Sequence, residues 1–128
     1  MIAVDANVLM ELIESRRQKA LVRSALAHYR LQEEKAAFST LTLSHVFYLA
    51  EAHKVPLKRV EKLTAVYSIY DVTRADVDWA LGHYNGKDFE DALQVAAAIR
   101  EKCTVFLTLD APLAKKYGKF LKIELVGP

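Results

Sequence analysis

Cysteine is almost absent from this 128-residue sequence: Cys103 stands alone. It has no partner for an intrachain disulfide, and no Cys/His spacing reads as a zinc site. A lone thiol suits a reducing compartment, and at a helix-to-strand junction it is expected to pack as a small hydrophobe. Glycine and proline are scarce, at four and three residues, and no repeat, low-complexity tract or linker interrupts the chain. No apolar run approaches the ~18 residues needed to cross a bilayer. The first residues lack a basic segment followed by a long apolar stretch, and they carry Asp5 instead. A soluble, cytoplasmic protein without membrane association is expected. Charge of one sign is also missing. Eighteen Lys and Arg face sixteen Asp and Glu, a net charge of +2, so no whole-molecule field draws nucleic acid, and such a role depends on where the charges sit.

What remains is enough for one domain over residues 1–128. Hydrophobic residues make up 52% and charged residues 27%, and a chain of this length buries about two-thirds of its unfolded surface.

Short apolar runs alternate with amphipathic stretches. Ile2-Ala3-Val4 reads as a strand ended by Asp5, central in a sheet because it is apolar on both faces. A helix over Ala6–Ile13 follows, with Asp5 as N-cap. The spacing of Leu21, Val22, Ala25, Leu26 and Tyr29 predicts a helix over Arg16–Leu31, whose Arg16, Lys19, Arg23 and Arg30 form a basic stripe. Such a stripe reads first as a solvated face. Ala36–Ser39 is a second strand and Thr42–His53 a helix. Pro56 opens another helix, with Leu57, Val60, Leu63, Tyr67 and Tyr70 at helical spacing. Asp71-Val72-Thr73 is read as a short strand, Ala75–Tyr84 as a helix stopped by Asn85-Gly86, and Phe89–Lys102 as a helix opened by Asp88. Thr104–Thr108 is the clearest strand. Asp110 follows, then a short helix over Ala111–Tyr117 and a last strand over Phe120–Leu125. Strands that alternate with helices imply a three-layer α/β/α arrangement around a mainly parallel sheet of four or five strands. Ligands in such folds sit beyond the carboxyl ends of the strands.

Four aspartates fall there. Asp5 and Asp110 end two strands, and Asp88 and Asp91 lie in the first turn of a long helix. Each is also a good helix cap, and Asp88 with Asp91 has capping-box spacing. Together at strand ends they have the character of a site for Mg²⁺ or Mn²⁺. Clustered carboxylates repel one another unless a cation joins them. Mg²⁺ takes oxygen ligands, keeps several waters and needs only one or two carboxylates plus substrate phosphate. A pair of such ions about 4 Å apart is suited to phosphodiester cleavage.

These residues resemble the PIN domain, and in particular the small VapC-like toxin ribonucleases. Ile2-Ala3-Val4-Asp5-Ala6-Asn7-Val8-Leu9 is similar to the family's first motif, Asp88-Phe89-Glu90-Asp91-Ala92-Leu93 to its central DxxDA motif, and Leu107-Thr108-Leu109-Asp110 to its final T-x-D/N motif. In order and separation the three span nearly the whole chain. The resemblance implies a metal-dependent endoribonuclease. Asp5, Asp91 and Asp110 would bind the metal, with Asp88 on it or on a bound water. Asn7 would orient the ligands, and Thr108 would hydrogen-bond Asp5 or a metal-bound water. It further implies a small antitoxin protein that blocks the site, and a homodimer. Lys115, Lys116 and Lys119, just beyond Asp110, are candidates for contacts with the RNA backbone. At one position the sequence departs from the family. Where PIN domains commonly carry a glutamate, early in the helix after the second strand, it has His45. Glu51 lies about 9 Å further along the helix and on another face, so it is no substitute. His45 is a poor ligand for Mg²⁺ or Mn²⁺ and a candidate for substrate phosphate instead.

Two other readings compete. His45 favours a catalytically weakened scaffold that binds RNA or a partner protein. A phosphoacceptor receiver domain suits the length and class, but the third strand expected at Asp71–Thr73 has no acidic residue at its end. Trp79 and the tyrosines at helical spacing are expected in the core, and His28, His53 and His83 carry no assigned role.

Overall fold

Ile2–Val4 form the first strand, β1, and all three side chains are buried, as a strand covered by helices on both faces requires. The computed structural model describes residues 1–127. After β1 come α1 (Ala6–Ile13), α2 (Lys19–Leu31), β2 (Ala36–Ser39), α3 (Thr40–Ala52), α4 (Leu57–Thr64), β3 (Ser68–Tyr70), α5 (Arg74–His83), α6 (Phe89–Arg100), β4 (Val105–Thr108), α7 (Ala111–Tyr117) and β5 (Ile123–Leu125). The five strands form one sheet in the order β3-β2-β1-β4-β5, and every pairing is parallel.

Side-chain alternation along the strands builds the three layers. Ile2 and Val4 of β1, Phe38 of β2, and Val105 and Leu107 of β4 face a core filled by α1 to α4. Ala3, Ala37 and Phe106 face the opposite core, filled by α5, α6 and α7. Small residues at positions 3 and 37 meet an alanine-rich helix, in which Ala92, Ala97 and Ala98 are fully buried. Helix and sheet can therefore approach closely.

The order of strands has a consequence for the site. From β1 the chain moves outward through β2 to β3, with its helices on one face. After α5 and α6 it returns to β4 and moves outward the other way, to β5. Right-handed crossovers in opposite directions place their helices on opposite faces of a parallel sheet. The direction reverses between the adjacent strands β1 and β4, and a crevice opens at the carboxyl ends there.

Several element boundaries depart from the sequence expectations. The third strand is Ser68–Tyr70, not Asp71–Thr73. The helix begun after Pro56 stops at Thr64, so Tyr67 and Tyr70, three residues apart, belong to a loop and a strand. The first long helix begins at Lys19, which takes Arg16 out of the basic stripe. Helix α3 begins at Thr40, capped by Ser39, and the last strand is only Ile123–Leu125. Cys103 is buried between α6 and β4. Tyr29, Tyr70 and Tyr117 are buried, but Tyr48 and Tyr84 are exposed and lie outside the core.

Candidate functional site

The site begins with an exchange of hydrogen bonds between the ends of β1 and β4. Asp5 follows Val4, and its amide donates to the Leu107 carbonyl at 3.0 Å. One carboxylate oxygen accepts from the Ala6 amide at 2.7 Å and caps α1. The other accepts from the Thr108 hydroxyl at 2.8 Å. Thr108 is fully buried, and its oxygen also accepts from the Asp110 amide at 3.0 Å and from Asn7 Nδ2 at 3.4 Å. Asn7 Oδ1 accepts from the Leu109 amide at 3.1 Å. Asp110 in turn caps α7 by accepting from the Leu113 amide at 3.1 Å. Asp5, Asn7, Thr108 and Asp110 thus form one hydrogen-bonded unit.

Asp91 joins them from the first turn of α6. Asp5, Asn7, Asp91 and Asp110 line one cleft of about 170 Å³, together with His45 and Arg16. Burial pushes the Asp91 carboxyl up to about 6, and the negative charges of Asp110, Asp5, Asp88 and Glu90 add to this. Burial also raises Asp5, against the hydrogen bonds from Thr108 and Ala6, with Asp110 adding to the rise. These are carboxylates held together at an energetic cost. A larger cavity of about 750 Å³ opens at the amino ends of the strands, beside Ile2, Arg30, Glu34 and Tyr67. It has no comparable carboxylate cluster, so the smaller cleft is the better candidate.

The donor set has the chemistry of a hard-cation site: all oxygen, anionic and partly desolvated. Among the described residues, no three His, Cys, Asp or Glu side chains converge closely enough to form a metal cage. That geometry fits an open site in which water completes the shell of the ion, and does not fit a closed structural metal site.

Asp88 lies apart from the cleft lining. Its side chain does not cap α6, so the expected capping box with Asp91 does not form. One oxygen accepts from the Asn85 amide at 2.6 Å, and the other is held by the Tyr117 hydroxyl and the Lys116 ammonium. Partial burial opposes its charge, but Lys116, Tyr117 and the Asn85 amide together hold it well below the usual carboxylate range. Lys116 is thereby engaged, whereas Lys115 and Lys119 are exposed. His45 lines the cleft with Nδ1 3.5 Å from Glu90 Oε1.

Three polar residues of the cleft, Glu90, Gln94 and Arg16, escaped the sequence reading as site residues. Glu90 stands beside Asp91 inside the motif, so adjacency was the available signal. Gln94 is buried, and its Oε1 accepts from Ser39 Oγ and Thr42 Oγ1, both at 2.9 Å, tying α6 to the start of α3. Its position one helical turn after Asp91 was the available signal. Arg16 reaches the cleft from the turn after α1, where it pairs with Glu14 and lies 3.4 Å from His53 Nδ1. Nothing in the local sequence marks it.

The family model for the PIN domain matches residues 2–119, and the chain belongs to that family. No curated protein matches it. Among solved structures it is similar to a toxin–antitoxin complex from Klebsiella pneumoniae, at 17% identity over 97% of this chain and 96% of that one, with a TM-score of 0.75. VapBC2 from Rickettsia felis, bound to a DNA fragment from its promoter, aligns at 15% identity over 99% and 100% of the two chains, with a TM-score of 0.74. VapC20 from Mycobacterium tuberculosis, a sarcin-ricin loop cleaving toxin, aligns at 16% identity over 90% and 94%, with a TM-score of 0.68. At these identities the likeness is one of fold.

Proposed function

We propose that the protein is a Mg²⁺- or Mn²⁺-dependent endoribonuclease, the toxin of a toxin–antitoxin pair acting in the cytoplasm. The observation that carries this reading is the meeting of Asp5, Asp91 and Asp110 in one cleft at the point where the strand order reverses. These three carboxylates would hold the cation. When bound, it supplies Lewis-acid charge that activates water and stabilises charge developing on the phosphodiester. Asn7 and Thr108 fix Asp5 and the Asp110 backbone through the bonds described above, so the ligands are oriented before substrate arrives. Asp88 acts through its charge on Asp91 and by holding Lys116. His45, Lys115 and Lys116 are assigned to RNA phosphate, with Lys116 free to turn from Asp88 to substrate. Membership of the PIN family and the toxin folds it resembles support this reading, and the toxin–antitoxin complexes among those folds also favour an antitoxin partner; a homodimer is part of the same proposal.

The test is cleavage of a mixed structured RNA by the purified, partner-free protein in Mn²⁺, beside an Asp91→Asn protein. Cleavage abolished by both EDTA and the substitution is the expected result. Equal cleavage by the two proteins would sink the assignment of Asp91.

A second reading, an RNA-binding scaffold without cleavage, is favoured by His45 at the commonly acidic position. It predicts RNA binding by the unmutated protein with no cleavage in Mn²⁺.

A further inference from the structure

Beyond the cleft, α5 and the loop after α7 build a cluster of aromatic rings at the edge of the α5–α7 core, with Trp79 packed against it. The exposed His83 ring lies flat on Trp79, with centroids 3.8 Å apart and planes at 9°. Its Nδ1 donates to the Trp79 carbonyl at 2.7 Å, which fixes the ring's orientation. Phe120 stands edge-on to both rings, at 5.2 Å from Trp79 and 5.1 Å from His83, and is 39% exposed. Trp79 is half-buried, so one face of the stack rests on protein while His83 and Phe120 meet solvent.

Cations surround these rings. Lys119 Nζ lies 5.1 Å over Phe120, and Lys116 Nζ lies 5.6 Å over Tyr117. Lys87, Lys115 and Lys122 are exposed on the same stretches of chain. The nearby acids are already engaged: Asp78 pairs with Arg74 and Asp88 with Lys116. The cluster also continues to the cleft. Trp79 and Phe120 each lie 6.4 Å from Tyr117, whose hydroxyl holds Asp88, three residues before Asp91.

Fixed aromatic faces beside unpaired lysines are the elements by which proteins bind single-stranded nucleic acid. Any base stacks on the rings while the lysines follow the phosphates. We infer that Trp79, His83 and Phe120 form a stacking subsite for a base of a single-stranded RNA, with Lys119 on its backbone, and that the same strand runs past Asp88 into the aspartate cleft. The subsite rests on the ribonuclease reading for its place in the reaction, but not for its binding.

The experiment uses the protein in EDTA, so that binding is read without metal or cleavage, and an oligouridine of about ten nucleotides, within the span single-strand sites cover. Binding is followed by anisotropy of a labelled strand and by emission of Trp79, the sole tryptophan. A ribose-phosphate strand of equal length without bases is the control. His83→Ala and Phe120→Ala are each expected to weaken the oligouridine roughly ten-fold, the effect of losing one stacked base. They should leave the base-free strand unchanged, and only the strand with bases should change Trp79 emission. Unchanged oligouridine affinity in both variants would overturn the subsite and leave this face to a protein partner. Equal weakening of the two strands would overturn it too, because charge rather than stacking would then be at work. Cleavage of the oligouridine in Mn²⁺ is scored in parallel. Normal cleavage with unaffected binding removes the subsite alone, and stacking without cleavage by the unmutated protein removes the nuclease reading alone.

Discussion

Asp91 carries much of the site's electrostatic tension. A carboxyl raised from 3.8 to about 6 in the folded protein binds its proton more tightly there than in the unfolded chain. Its contribution to stability is complete below pH ~4 and is lost as pH rises through about 6. Asp5 is raised as well and acts in the same direction. Asp88 is lowered, so its stabilisation is lost only as pH falls below ~4, outside this window. The metal-free protein is therefore expected to melt at a lower temperature at pH 7.5 than at pH 5. Asp91→Asn should melt above the unmutated protein at pH 7.5, with the gap closing by pH 4.5, and Mn²⁺ should raise the melting temperature of the unmutated protein alone. Identical pH profiles for the two proteins in EDTA would rule out the repulsion described here. Part of this residue-scale picture was legible in the sequence: each aspartate alone suits a helix cap, but aspartates at two strand ends and in the first turn of a long helix can meet beyond the carboxyl ends of a parallel sheet. Arg16 was not. Its approach to the cleft depends on a turn in which Ser15 takes a φ of 51°, which no periodicity announces.

At the scale of elements, α6 matters most, because it carries Asp91 in its first turn. Its last residue, Arg100, docks on α5. Arg100 Nε donates to both oxygens of Asp76 at 2.9 and 3.1 Å, and its other nitrogens reach Glu101 and the Asp71 carbonyl. Asp76 is buried and also accepts from the Thr73 amide at 2.8 Å, securing the start of α5. Asp76→Ala removes this link and leaves a partly buried guanidinium with less compensation, at a cost of about 3 kcal/mol, measurable by urea unfolding. Cleavage at a temperature where the variant remains folded should stay within a few-fold of normal, because the pair lies at the far end of α6 from Asp91. A large loss of activity in the folded variant would mean that α5 sets the position of Asp91. The sequence showed most of these elements clearly. Apolar runs bounded by polar residues gave β2 and β4 nearly to the residue. β3 was placed three residues late, at Asp71–Thr73 instead of Ser68–Tyr70, because Tyr67 and Tyr70, with Leu63, fall at intervals of three and four that mimic a helical face, and a three-residue strand is too short to set a period of its own.

At the scale of the molecule, alternation of helix and strand was enough to foresee a parallel three-layer fold, but not the strand order that brings Asp5 beside Asp110. That order depends on how the α5–α6 layer packs back across the sheet, and no local pattern encodes it. Charge shows a similar division. Eighteen basic and sixteen acidic residues nearly cancel, yet carboxylates gather in the cleft while Lys115, Lys119 and Lys122 stand exposed on α7 and after it. Two lysines in the last turn of α7, Lys115 and Lys116, also complement its dipole, so their presence alone does not require RNA. Salt dependence separates the two roles. Each phosphate neutralised on a single strand contributes roughly −0.7 to the slope of log affinity against log salt. Replacing Lys115 and Lys119 by Gln should therefore flatten the slope for single-stranded RNA in EDTA by about 1.4, whereas replacing Lys54 and Lys58, exposed on and before α4, should leave it unchanged. Equal flattening by the two double variants would mean that RNA is held by diffuse charge over the whole surface, and the strip of lysines beside the cleft would have no special part in binding.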